Sequence, residues 1–170
     1  MKNKNKGNII LIGFMGCGKS TLGKQLALKL SMDFVDMDGE IEKQENESIS
    51  QIFATKGGAY FRKLETQLLK SYQAKSNLVI STGGGAPCFN NNMKLINSIG
   101  KSVYIKLPAE ILVNRLKNEK SKRPLIAEMT NESLLVFVQN KLEERESFYG
   151  LADVYFDNNE SELNDLVSVL

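Results

Sequence analysis

The sequence contains no histidine. Histidine is the side chain that most often moves protons in enzymes, so any proton transfer here must use a carboxylate, a lysine, a tyrosine, a cysteine or water. Hydrolases built on a Ser-His-Asp triad or a Cys-His pair are therefore excluded. Any catalysis by this chain would therefore depend on its carboxylates and its basic residues.

Cysteine is nearly as scarce, with only Cys17 and Cys88 in the chain. Two cysteines cannot form a disulfide framework, and neither lies in a metal-ligand spacing.

The start of the chain contains no long apolar run. The basic segment "MKNKNKG" is followed by only five apolar or amide residues, "NIILI". That run is too short for a signal peptide or a membrane span. We expect a cytoplasmic protein that is not exported and has no membrane partner.

The chain also lacks an excess of charge of one sign. It has 22 basic and 20 acidic residues, a formal net charge of +2, which gives no broad field for nucleic acid. Its 170 residues, of which 42% are hydrophobic, suit one globular domain. No repeat or Pro/Gly-rich linker interrupts it, so we expect a single domain over residues 1–170, acting as a monomer.

Short apolar runs alternate with segments of helical period. The runs predict strands at Asn8–Ile12, Phe34–Asp38, Leu78–Thr82, Ser102–Leu107 and Asp153–Phe156. The periodic segments predict helices at Lys19–Leu30, Tyr60–Tyr72, Ala109–Lys117 and Glu132–Tyr149. This alternation predicts an α/β fold of three layers, with a five-stranded parallel sheet and helices on both faces.

Two polar stretches, Lys43–Gly58 and Asn118–Asn131, interrupt this pattern. They are either lids and binding loops or ordinary surface loops.

The stretch "GFMGCGKST", Gly13 to Thr21, fills the pattern G-x-x-x-x-G-K-[ST] and lies between a predicted strand and a predicted helix. In this motif backbone N–H groups and the helix N-terminus cradle phosphates, the lysine reaches the terminal phosphates and the hydroxyl ligates Mg²⁺. The sequence therefore predicts a single P-loop domain that binds a nucleoside triphosphate. The predicted nucleotide-binding residues of the loop are Gly16, Cys17, Gly18, Lys19, Ser20 and Thr21.

Cys17 is the one residue of this loop that phosphate binding does not require. Its thiol is either a small buried filler or, in the positive potential of the helix start, a reactive thiolate. The second interpretation predicts that Cys17 reacts faster than Cys88, and that bound nucleotide protects it. In both cases the phosphate contact at Cys17 is made by its backbone N–H.

Polar residues also end the second and third predicted strands, and the carboxyl ends of parallel strands are where ligands bind. In "DMD", Asp36 could support Mg²⁺ through water, and Asp38 could orient or deprotonate an acceptor hydroxyl. In "STGGG", Gly83, Gly84 and Gly85 expose backbone groups for close approach of a ligand. The alternatives are solvated acids at a strand end and a flexible turn.

Three arginines lie in settings that suit the binding of anions. In "FRKLE", Glu65 can hold the guanidinium of Arg62 within one helical turn, although a surface ion pair would look the same. Arg123 lies beside a proline in the lid-like stretch. Arg145 comes four residues before Tyr149 near the end of the last long helix. The planar fork of arginine matches carboxylate and phosphate groups.

Taken in order, these motifs resemble the shikimate kinases. The resemblance covers nearly the whole chain, through "GFMGCGKST", "DMDGEIE", "SISQIFATKGGAYFRKLE", "STGGGA", "RPLI" and "RESFYGLAD". It implies a fold of the nucleoside-monophosphate-kinase type. It also implies transfer of the γ-phosphoryl of ATP to the 3-hydroxyl of shikimate, with Mg²⁺ as cofactor, in the biosynthesis of aromatic amino acids through chorismate.

The resemblance also implies roles for individual residues. Asp38 would bind the acceptor hydroxyls, Arg62 and Arg145 the carboxylate, and Gly84 the ring hydroxyls. Arg123 would contact the ATP phosphates and Arg115 the adenine. The catalytic set would be Lys19, Asp38 and Arg123, acting by direct in-line transfer. The substrate-binding region would cover about residues 36–65 and the lid about residues 118–131.

Two positions depart from the family pattern. Ser147 stands where the family has a proline, which leaves open how the last long helix ends. The segment Phe156–Ser161 carries no basic residue, and we assign it no contact with the nucleotide. Two other functions stay open: a P-loop kinase for a gluconate-like acid or a nucleotide, and a nucleotide-binding module without catalysis. The second would not need the acceptor-side residues.

Overall fold

A five-stranded parallel sheet forms the centre of the protein. The structure is a computed structural model and describes residues 7–119 and 126–170. The strands are β1 (Asn8–Ile12), β2 (Asp33–Asp36), β3 (Leu78–Ser81), β4 (Gly100–Lys106) and β5 (Val154–Asp157). They lie in the order β2-β3-β1-β4-β5, and each neighbouring pair is parallel. The predicted sheet and α/β fold class are confirmed.

Helices connect the strands. They are α1 (Lys19–Leu30), α2 (Met37–Glu45), α3 (Ile49–Lys56), α4 (Gly58–Ser71), α5 (Asn92–Ile99), α6 (Ala109–Lys117), α7 (Asn131–Tyr149) and α8 (Leu163–Val169). The four predicted helices correspond to α1, α4, α6 and α7, with ends within two residues of the prediction. Within the described residues, no helix has the length and apolar character needed to cross a bilayer.

The sheet is buried on both faces, as a parallel sheet requires. Alternate residues of β1 enter two separate cores: Ile9 and Leu11 pack with α1, α6, α7 and α8, whereas Ile10 and Ile12 pack with α2, α3, α4 and α5. Successive side chains of a strand point to opposite faces, so one apolar strand anchors both helix layers. This arrangement fixes the carboxyl edge of the sheet, where Gly13 follows β1 and where β2 and β3 end in Asp36 and Ser81.

Two predictions about local structure are wrong. Strand β2 does not continue to Asp38 but ends at Asp36, whose carboxylate accepts a hydrogen bond from the backbone N–H of Asp38 and caps α2. The stretch Lys43–Gly58 is not a loop, because it contains the end of α2 and all of α3. Helix α3 begins with a capping box in which Ser48 and Gln51 satisfy each other's backbone N–H groups.

Helix α7 passes through Ser147 without a break and ends at Tyr149. Serine keeps the backbone N–H that a proline would remove, so the helix can continue there. The stretch predicted as a lid leads into this helix, and the Thr130 hydroxyl caps it by accepting from the Ser133 N–H. Arg123, in the middle of that stretch, lies outside the described residues.

Candidate active site

The glycine-rich stretch forms the turn between β1 and α1. Gly18 precedes the first residue of α1 and has a φ of 97°, a left-handed conformation that side chains with a Cβ rarely adopt. Gly13 is needed for space, because a Cβ there would lie 2.5 Å from the carbonyl oxygen of Ile105 on β4. The turn therefore presents the N-terminus of α1 at the carboxyl edge of the sheet, which favours anions.

Lys19 is folded over this turn. Its ammonium group donates to the carbonyl oxygens of Gly13 at 2.8 Å and Phe14 at 2.9 Å, and only 7% of the residue is exposed. A lysine charge held by two neutral carbonyls is balanced by no carboxylate within the loop. The positive charge is therefore held at the turn by neutral groups and is available for an anion bound there.

The start of α1 also brings a hydroxyl next to a carboxylate. The Ser20 hydroxyl donates to Asp36 Oδ2 at 2.7 Å and lies 3.3 Å from the Ser81 hydroxyl. Asp36 and Ser81 are neighbours in the pairing of β2 with β3, so the sheet register places both beside Ser20. This contact brings together the two residues predicted to support Mg²⁺. Ser81 was not among the predicted residues.

A cavity of about 820 Å³ opens above the glycine-rich turn. Its lining contains most of the predicted nucleotide-binding residues, namely Gly16, Gly18, Lys19, Ser20, Thr21 and Arg115, together with Asp36 and Asp38. The Arg115 guanidinium donates to the carbonyl oxygen of Gly16 at 3.3 Å. The cavity is large enough for a nucleotide.

Asn158 also holds the glycine-rich turn. Its side-chain amide donates to the carbonyl oxygen of Cys17 at 2.8 Å. The sequence interpretation assigned no contact with the nucleotide to Phe156–Ser161, and this hydrogen bond to the loop was not anticipated. Asn158 directly follows β5, so its position at the carboxyl edge was the signal that could have identified it.

The Cys17 thiol is buried in the core, with only 1% of the residue exposed. Its sulfur lies 3.7 Å from the Lys19 ammonium. Reagents react with accessible thiolates, so this burial favours the interpretation of Cys17 as a small buried filler over that of a reactive thiol. The backbone of Cys17 forms part of the glycine-rich turn.

A second cavity of about 320 Å³ adjoins the first, and Met15, Asp38, Glu42 and Gly84 line both. It contains all the residues predicted for the acceptor: Asp38, Arg62, Gly83, Gly84, Gly85 and Arg145. Phe53, Phe61 and Ile49 add an apolar wall. The structure thus brings together residues from four separate parts of the sequence.

Arg62 is held in one orientation from several sides. Its Nη1 donates to Glu65 Oε2 at 2.6 Å, and the guanidinium carbon lies 4.4 Å from the ring centre of Phe89 and 5.3 Å from that of Phe61. A Cβ at Gly85 would lie 2.6 Å from Arg62 Nη2, so a side chain there would displace the guanidinium from this position. Phe89 lies in the connection between β3 and α5, and no local spacing predicted its contact with Arg62.

Two buried carboxylates meet at Gly83. Asp38 Oδ1 and Glu65 Oε1 are buried without a hydrogen-bond partner among the described residues, and a Cβ on Gly83 would lie 3.0 Å and 2.7 Å from them, respectively. Burial raises the pKa of Glu65 to about 7, although the charge of Arg62 opposes this. Burial and the nearby Asp36 charge also raise the pKa of Asp38, against the effect of Lys19.

Arg145 approaches the second cavity from α7. Its guanidinium carbon lies 5.3 Å from the ring centre of Phe14, in the glycine-rich turn. Two arginines, Arg62 and Arg145, therefore flank one small cavity that also contains the Asp38 carboxylate. This arrangement suits a ligand that carries both an anionic group and hydroxyls.

Comparison with known proteins agrees with this geometry. A family model described as shikimate kinase matches residues 15–169. The chain belongs to the shikimate kinase family. A shikimate kinase of Azobacteroides pseudotrichonymphae is 44% identical over 163 residues, which are 95% of this chain and 96% of the relative.

Solved shikimate kinases share the fold. The enzyme of Bacteroides thetaiotaomicron superposes with a TM-score of 0.91 at 37% identity, covering 96% of this chain and 97% of that one. The enzyme of Acinetobacter baumannii, solved in complex with shikimate, gives 0.84 at 33% identity over 96% of this chain and 90% of that one. Membership of the shikimate kinase family makes this protein an ATP-dependent kinase.

Proposed function

We propose that this protein transfers the γ-phosphoryl of ATP to the 3-hydroxyl of shikimate, which gives shikimate 3-phosphate and ADP. The observation that carries the proposal is the pair of adjoining cavities that share Asp38 and Gly84. A donor in the first cavity and an acceptor in the second would meet at these residues. Such positioning is a large part of phosphoryl-transfer catalysis.

On the acceptor side, Arg62 and Arg145 would bind the carboxylate of shikimate, and Gly83, Gly84 and Gly85 would allow close approach of its ring hydroxyls. The ring face would pack on the apolar wall that contains Phe61. This wall favours a cyclic acid over an open-chain acid such as gluconate. Asp38 would orient the reacting hydroxyl and take its proton, and its raised pKa makes the carboxylate a stronger base.

On the donor side, Lys19 would leave the carbonyls of Gly13 and Phe14 to contact the terminal phosphates of ATP. The backbone of Gly16 to Thr21 would cradle the phosphates, with Arg115 beside the adenine. Arg123 would approach the transferred phosphoryl from the lid at about residues 118–131. Charge stabilisation of this kind is usually the largest catalytic contribution, so Lys19 and Arg123 join Asp38 in the proposed catalytic set.

The contact between Ser20 and Asp36 fits a magnesium site, because Mg²⁺ uses few protein ligands and keeps several waters. Ser20 would hold the ion directly and Asp36 would hold it through water. When bound, Mg²⁺ would offset the negative charge of the phosphates. The residues of the chain would keep donor and acceptor in line, and closure of the lid would exclude water that could otherwise hydrolyse ATP.

The substrate-binding region in this proposal covers about residues 36–65, which contain α2, α3 and the start of α4. A single chain supplies the lining of both cavities, so a monomer would be sufficient for activity. We place the enzyme in the cytoplasm, in the route to chorismate and the aromatic amino acids. Its two cysteines, both unpaired, suit a reducing compartment.

An assay of ADP release tests the proposal. Purified protein with MgATP is given shikimate, gluconate or AMP at matched concentrations, and a reaction without acceptor measures background hydrolysis. We expect ADP release that depends on shikimate and stays near background with gluconate and AMP. Faster turnover of gluconate or AMP than of shikimate would instead support the alternative kinase functions, and background rates with all three would contradict the proposal.

A further inference from the structure

Tyr149 connects two parts of the proposed acceptor site. It is the last residue of α7 and is fully buried, and its hydroxyl donates to the carbonyl oxygen of Gly84 at 2.5 Å. Gly84 lines both cavities, whereas Tyr149 lines neither. The Tyr149 hydroxyl therefore contacts the glycine turn from a position outside both cavities.

Arg145 lies on the same helix, four residues before Tyr149. Residues four apart in a helix share a face, so Arg145 and Tyr149 project from α7 in the same direction. Burial raises the pKa of the Tyr149 phenol, and the charge of the nearby Arg145 opposes this. Tyr149 thus lies beside an arginine of the second cavity, while its hydroxyl contacts the glycine turn.

The ring of Tyr149 is held independently of its hydroxyl. It packs against Tyr104 of β4, with ring centres 4.9 Å apart, in the apolar core on this face of the sheet. The Tyr104 hydroxyl donates to Glu146 at 3.0 Å and reaches no residue of either cavity. The two tyrosines are therefore a matched pair: both are buried in the same core, and only the Tyr149 hydroxyl contacts the site.

We propose that Tyr149 is a positioning residue for the acceptor, whose hydroxyl fixes the backbone of the glycine turn at Gly84. This inference rests on the proposed function, because the glycine turn is assigned to the ring hydroxyls of shikimate. Without the hydroxyl, the turn would lose the bond that fixes the Gly84 carbonyl. Acceptor binding would weaken more than nucleotide binding, because all three glycines of the turn line the second cavity and only Gly84 lines the first.

The test compares Tyr149→Phe with Tyr104→Phe in the full-length enzyme, by steady-state kinetics with each substrate varied in turn. A neutral hydrogen bond contributes about 1 kcal/mol, so we expect the KM for shikimate to rise about fivefold in Tyr149→Phe. The KM for ATP should stay within about twofold, as should both constants in Tyr104→Phe.

Two results would overturn the inference while leaving the proposed function intact. They are an unchanged KM for shikimate in Tyr149→Phe, and equal rises in both KM values. A Tyr149→Phe protein that fails to fold would also overturn it, because the hydroxyl would then be an element of core stability. A wild-type enzyme without shikimate turnover would contradict the proposed function itself.

Discussion

Replacement of Arg62 tests the acceptor site most sharply, because this side chain has a defined set of partners. Its guanidinium donates to Glu65 at 2.6 Å and stacks on Phe89 at 4.4 Å, with 19% of the side chain exposed. In this partly dehydrated position, charge-assisted bonds to a carboxylate ligand contribute about 2 kcal/mol or more. Loss of these bonds in Arg62→Ala should therefore weaken shikimate binding roughly 30-fold or more.

The variant Arg62→Ala should also lose stability, and this loss has to be separated from its effect on shikimate binding. Without Arg62, the fully buried Glu65 carboxylate loses its ion-pair partner, and breaking a buried pair destabilises a protein by about 3–5 kcal/mol. The double variant Arg62→Ala with Glu65→Gln avoids the unpaired charge. Both variants should show the same loss of shikimate binding, and the double variant should lose less stability.

Binding of shikimate can be measured by titration calorimetry, and the KM for ATP by the ADP-release assay. Lys63→Ala is a suitable control, because it removes a positive charge from an exposed position on the same helix. Its shikimate affinity should match that of the wild type. Wild-type shikimate affinity in the double variant would refute the assignment of Arg62.

Three further predictions concern carboxylates and thiols. Asp38→Asn should lower turnover by about 10²–10⁴-fold with little change in the KM for ATP, since a positioned base contributes that much; turnover within tenfold of wild type would contradict its role. Burial raises the pKa of Glu65 from 4.5 to about 7, so the folded state keeps a proton that the unfolded chain releases between these pH values. The free energy of unfolding should therefore fall by about 3 kcal/mol relative to Glu65→Gln as pH rises through this range, and denaturant titrations that give a pH-independent difference would disprove it. Finally, Cys17 is 1% exposed whereas Cys88 is half-buried, so mass spectrometry after alkylation should find Cys17 labelled more slowly than Cys88. Faster labelling of Cys17 would support its interpretation as a reactive thiol. The variant Cys17→Ala should keep most of the activity.

Features encoded by neighbouring residues could be predicted from the sequence. The glycine-rich turn forces β1 to end and α1 to begin at Lys19, so one local motif fixes both elements and the position of the lysine. The pair formed by Arg62 and Glu65 lies within one helical turn, and its spacing alone indicated the contact. In such cases backbone geometry determines which side chains meet.

Errors arose where two local patterns compete. The alternation in "DMD" matches a strand, but the same aspartates can cap a helix, and Asp36 does so. Helix α3 was missed because a polar stretch shows little apolar periodicity, although Ser48 and Gln51 form a capping box that marks its start.

Contacts between distant parts of the chain could not be predicted from one sequence. Asn158 bonds to Cys17 across a separation of 141 residues, and the Tyr149 hydroxyl bonds to Gly84 across 65. These contacts depend on how the sheet orders its strands and how α7 crosses the carboxyl edge. No spacing within the sequence encodes that geometry.

The measurement that tests the central proposal most directly is phosphorus NMR of a completed reaction with MgATP and shikimate. It reports both the fate of the γ-phosphoryl and the oxygen that accepts it. We predict one ADP for each phosphate ester formed, with the phosphate on the 3-hydroxyl of shikimate. Formation of ADP with free inorganic phosphate only, or an ester on another hydroxyl, would contradict the account.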